Sequence, residues 1–214
     1  MKRLWSRFGV YIIAVAVLIV VLTAGYRGYV AWNTSRERAA GDEFIAAATA
    51  AETTRTPTSA EELQAFADDA PGGYGMLARF LAATTFHQAE QTEQAIGLLR
   101  ELEVDSGVPQ LYRDLARIRL AHILIDEGDA AAARQEVAAL AEDTNNPWSQ
   151  SAQELMGLTA YMDDDVAEAR RWYTRLQEAA ESPPDLRQRA QVMLALMAQS
   201  APAATDGASA EETN

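Results

Sequence analysis

Few residues of this chain have types and spacings that could do chemistry. His87 and His122 are its two histidines, and there is no cysteine. A zinc site would need several such ligands converging, yet neither histidine has another histidine or a cysteine at helical spacing, so no metal is expected. Asp163, Asp164 and Asp165 form an acidic run. The run lacks the alternating acids, central glycine and distal glutamate of a calcium loop, and it reads instead as the solvated N-cap of a helix. Gly72-Gly73 follows Pro71 without a Gly-Lys-Ser/Thr continuation, which makes it a turn rather than a phosphate loop. No Ser-x-x-Lys, Gly-x-Ser-x-Gly or His-Glu-x-x-His is present. The expectation is a protein that is not an enzyme, with no cofactor and no small-molecule substrate.

Charge narrows the partners. The net charge is −13, unevenly spread: residues 1–38 hold six Lys/Arg against one acid, and residues 39–214 hold twelve Arg against thirty acids. A body this acidic repels phosphate backbones, so no nucleic acid is expected. Arg170, Arg171 and Arg175 surround Trp172, but three arginines on one helix of an acidic body read as ion-paired surface.

The elements that would position these residues are written in a repeat. "YGMLARF" at residues 74–80 returns as "YRDLARI" at residues 112–118, and Trp148 opens a third, drifted copy. In register, Ala83, Ala121 and Gly157 align, as do Ala95, Ala133 and Ala169. Leu99, Val137 and Tyr173 follow four residues on, and Leu102, Leu140 and Leu176 three beyond. The intervals i, i+4, i+7 trace one face of a helix. Each copy is a helix pair whose apolar face needs a neighbouring pair to cover it, and stacked hairpins are the physical solution. Gly128-Asp129, Asn146-Pro147 and Ser182-Pro183 supply caps, and Ser59 with Glu62 suggests a capping box.

Ahead of the repeats, "FGVYIIAVAVLIVVLTAGY" at residues 8–26 carries no charge. As a helix it spans about 28 Å, close to the roughly 30 Å of a bilayer's hydrocarbon core. Trp5, Phe8 and Tyr11 stand at one end of it, Tyr26, Tyr29 and Trp32 at the other, as interface anchors do. Its length exceeds that of a cleaved leader's apolar core. Positive charge is densest before Phe8, which orients the N-terminus to the cytoplasm.

The fold class expected is all-α: one N-terminal transmembrane helix, then a helical-hairpin solenoid. The segments are a cytoplasmic tail at 1–7, an anchor at 8–26, and membrane-proximal helices and linker at 27–73. Three repeats follow at 74–111, 112–147 and 148–181. A capping helix at 182–199 and a disordered tail at 200–214 complete the chain.

The spacing and small-residue pattern of residues 74–181 resemble the tetratricopeptide repeat (TPR). The anchor with its trailing "YRGYVAWNTSRERAAGDEF", the "YGMLARF" opening and the "YRDLARIRLAHILIDEGD" unit together resemble the YfgM-type family of membrane-anchored TPR proteins. That resemblance implies a bacterial inner-membrane protein with a cytoplasmic N-terminus and a periplasmic body. It further implies association with the Sec translocon and a membrane-anchored periplasmic chaperone, and it supplies no catalytic residues. A TPR receptor facing the cytoplasm is the alternative. In a TPR register the concave face presents Phe80, His87, Ile118, His122, Leu158 and Tyr161, either as a partner-binding groove or as inter-repeat core.

Overall fold

The structure, a computed structural model, describes residues 2–200, with main chain alone for residues 2–14, 16 and 200. Among the described residues there are nine helices and no strand. They are α1 (Lys2–Thr54), α2 (Pro57–Asp69), α3 (Tyr74–Gln88), α4 (Thr92–Val104), α5 (Gln110–Asp126), α6 (Ala130–Glu142), α7 (Ser149–Met162), α8 (Val166–Glu178) and α9 (Pro184–Ser200). The protein is all-α. It divides into two compact units at Glu90–Gln91, a boundary that falls inside the 74–111 repeat read from the sequence. The expected tail at 200–214 and the aromatic side chains Trp5, Phe8 and Tyr11 lie outside the described residues.

In the first unit α1 runs unbroken for 53 residues. Near its end Thr49, Thr53 and Thr54 donate their hydroxyls to carbonyls one turn back. Arg55 then takes a positive φ of 49° and the helix stops. The next helix starts earlier than Ser59. Thr56 is the N-cap and Ser59 its capping-box partner, because Pro57 at the first helical position has its φ preset and no N–H to leave unsatisfied. Phe44 of α1 packs on Phe66 of α2 and Tyr74 of α3, with ring centroids 6.2 and 5.8 Å apart. The α2–α3 approach depends on Gly75, where a Cβ would lie 2.7 Å from the Ala67 carbonyl oxygen. Among the described residues no helix is long and apolar enough to cross a membrane. The side chains of most of the first half of the 8–26 run are not among those described.

In the second unit each helix from α4 to α9 packs on the next, and α5–α7 and α7–α9 also touch. Helices α5, α7 and α9 thus form one layer. The aligned small positions Ala95, Ala133 and Ala169 are fully buried, and so are Leu102 and Leu176. Burying each such leucine contributes about 1.5–3 kcal/mol. Turns are set by local chemistry: Gly128 adopts φ +82°, and the Asp129 carboxylate accepts from the Ala132 N–H. Asn146 accepts from the Trp148 N–H and donates to Asp114, so it fastens the turn before α7 to α5. The Trp148 indole donates to the Leu111 carbonyl and binds the same two neighbours. Ser182 does not cap α9; its hydroxyl is buried without a partner among the described residues, and Pro184 opens that helix.

Candidate functional site

Helical periodicity builds a groove on the α5–α7–α9 layer. Helix α5 contributes Ile118 and His122, one turn apart. Helix α7 contributes Ser151, Glu154, Leu155 and Leu158, a single stripe at i, i+3, i+4 and i+7. Helix α9 supplies the far wall with Asp185, Gln188, Arg189, Val192 and Met193, again one stripe. Tyr173 reaches the same space from α8, and the open groove has a volume of about 750 Å³.

Two features organise the groove. The first is an ion pair between α7 and α9: Arg189 donates twice to Glu154, at 2.6 and 2.9 Å, and once to Asp185 at 3.2 Å. The bond to Glu154 pushes the Arg189 pKa above the ordinary arginine range, so the guanidinium stays charged. The second is Tyr173, which is 2 % exposed. Its ring lies on the bare face of Gly157, and no hydrogen bond from its hydroxyl is formed among the described residues. Burial, and then the nearby Glu154 carboxylate, push the hydroxyl's pKa above the usual tyrosine range, with Arg189 pulling the other way. The group remains a protonated donor.

Of the six residues read from the sequence, Ile118, His122 and Leu158 come together in this groove. Ile118 is buried at its floor, whereas His122 is exposed. Tyr161 lies elsewhere on α7, against a core cluster that includes Ala169, Leu176 and Met197. Phe80 and His87 belong to α3 in the first unit, Phe80 buried and His87 half-buried. Sequence reasoning missed Glu154, Tyr173, Arg189, Val192 and Met193. The i, i+3, i+4, i+7, i+8 spacing of the α9 set was legible, but that helix reads as a cap because its stripe mixes charged and apolar residues.

The remaining candidates resolve into surface structure. Asp165 caps α8 by accepting from the Glu168 N–H, and Asp163 pairs with Arg134 at 3.2 Å. Arg175 pairs with Glu142 at 3.2 Å and lies 5.5 Å from the Trp172 ring. Among the described residues no group of three or more His, Cys, Asp or Glu could hold a metal ion.

The groove combines apolar walls with the paired Glu154–Arg189 cluster and the polar side chains of His122, Ser151, Gln188 and Tyr173. Neither a curated protein nor a solved structure shows significant similarity to the chain. A family model does: that of the tetratricopeptide repeat-like domain matches residues 2–207. With nearly the whole sequence inside that match, and with helix pairs stacked as described, the chain belongs to the tetratricopeptide repeat-like domain family.

Proposed function

We propose that the protein is a membrane-anchored scaffold whose repeats hold a partner protein in the α5–α7–α9 groove. The groove carries this reading: its mostly apolar surface, with polar side chains set among the apolar ones, suits a polypeptide segment. The family match supports protein–protein interaction. The anchor rests on the 8–26 run and on exposure. Val15 and every residue from Val17 to Leu22 are more than half exposed, on all sides of α1. A helix that is apolar all round needs an apolar surrounding, and a bilayer supplies one.

The density of positive charge before Phe8 supports a cytoplasmic N-terminus with the body across the membrane, and the resemblance to the YfgM-type family makes that membrane a bacterial inner membrane and that side the periplasm. The resemblance of the anchor and the repeat openings to the YfgM-type family points to the Sec translocon or a membrane-anchored periplasmic chaperone as partner. A photo-crosslinking residue at Gln188, on the lip of the groove, tests the reading in intact membranes. Adducts with translocon or chaperone subunits are expected. Absence of adducts at Gln188, with adducts from a probe on α8, would move the contact off the groove. A reporter fused after Asn214 should be active only when exported, and cytoplasmic activity would make the protein a receptor facing the cytoplasm.

A further inference from the structure

The geometry points to a second interaction surface on the outer face of α8, a stripe of arginines that takes an acidic segment of a partner protein. This surface is separate from the groove and does not depend on it.

Helical spacing makes the stripe. Ala167, Arg170, Arg171, Thr174, Arg175 and Glu178 fall at i, i+3, i+4, i+7, i+8 and i+11, and they line one open recess of about 670 Å³. The buried residues of the same helix, Ala169, Tyr173 and Leu176, lie on its opposite side. All three arginines are exposed. Their sequence context reads as an ion-paired surface, yet only Arg175 has a carboxylate partner among the described residues. It pairs with Glu142 at 3.2 Å, with both side chains open to solvent. Arg170 donates instead to the Met197 carbonyl, at 3.4 Å. Arg171 makes no hydrogen bond or ion pair among the described residues.

Charge selects the partner. Residues 91–200 hold nineteen acids against ten arginines, and three of those arginines crowd into positions 170–175. An acidic segment is held off by most of such a surface and is steered to the one stretch of opposite sign. A guanidinium fork matches a carboxylate with two parallel hydrogen bonds. Arg171 has both prongs to offer, and Arg175 can exchange Glu142 for another carboxylate at little cost, because an exposed pair is weak. A nucleic acid fits less well. Glu178 closes one end of the recess, and Glu142 and Glu168 border Arg171 and Arg175 on its flank, so a continuous phosphate backbone would meet like charge. A short run of carboxylates fits between these acids.

The test uses the full-length chain in a non-ionic detergent and a peptide of alternating Glu and Ala that carries a neutral dye, read by fluorescence anisotropy. Wild type should bind it and should not bind the version with Gln in place of Glu. Arg171→Glu should weaken binding about tenfold or more, with Tm unchanged because the side chain has no internal partner to lose. Arg171→Lys should cost about two- to fivefold, since an ammonium keeps the charge but not the fork. Arg100→Glu makes the same charge change at an exposed arginine of α4 and should leave the affinity within about twofold. No binding by wild type, equal losses in Arg100→Glu and Arg171→Glu, or tighter binding of a single-stranded oligonucleotide of equal charge would each overturn the inference. Binding that strengthens about tenfold on removal of residues 201–214 would overturn it too, by assigning the stripe to the chain's own Asp206, Glu211 and Glu212. Adducts at Gln188 are a separate measurement, so the groove reading stands or falls apart from any of these results.

Discussion

Gly157 and Tyr173 fit each other as a pair: a Cβ on Gly157 would stand 2.9 Å from Tyr173 Cε2 and 3.0 Å from Cζ. In sequence register the same two positions hold Ala121 and Val137 in the preceding repeat, so the larger side chain at Tyr173 is matched by the smaller residue at Gly157.

This pairing predicts a compensating mutation. Gly157→Ala alone should overpack the α7–α8 contact and cost about 1–3 kcal/mol in denaturant unfolding. Adding Tyr173→Val, which recreates the Ala121–Val137 combination, should recover part of that loss. A double mutant less stable than the sum of the singles would show that the two sites are not coupled through volume.

Ala133 offers a test of the repeat packing. It is fully buried on α6, whereas Ala139 on the same helix is exposed. Ala133→Leu should lower Tm, with a cost of roughly 1–3 kcal/mol, while Ala139→Leu should leave it within about 0.5 kcal/mol. Equal thermal shifts would refute the assignment of α6's inner face.

Asp114 is buried and accepts from Gln110 at 2.7 Å and from Asn146 at 2.8 Å. Asp114→Ala should therefore cost about 1–3 kcal/mol and loosen the turn before α7. Amide hydrogen exchange at Trp148, whose N–H is held by Asn146 Oδ1, should accelerate in the variant. Unchanged exchange there would mean the network does not hold the turn.

Glu136 predicts a pH dependence. Burial raises its pKa, the neighbouring Glu103 raises it further, and Arg100 and Arg117 oppose the shift. The folded protein then binds this proton more tightly than the unfolded chain does, so stability falls as pH rises through the raised value. The penalty is absent below the ordinary glutamate range. Glu136→Gln should raise Tm at neutral pH, and the gain should fade as the pH drops below about 4, the ordinary glutamate range. A gain that persists in acid would refute electrostatic destabilisation at this position.

The sequence by itself determined the helices and their buried faces. Period, small residues and punctuation are local properties: Ala95, Ala133 and Ala169 recur because helices touch there, and Gly128-Asp129 is a turn in any context. The same locality made Ser59 look like a cap, when Thr56 and Pro57 start the helix one turn sooner. Only the tertiary structure decided which residues meet across helices. The Glu154–Arg189 pair joins residues 35 positions apart, and Tyr173 reaches the groove from a helix outside the layer that forms it. Nothing in the order of residues reports that, because a groove is made where the stripes of three helices converge, and their convergence depends on how closely each pair can approach. At α7–α8 that approach is set by the missing side chain of Gly157.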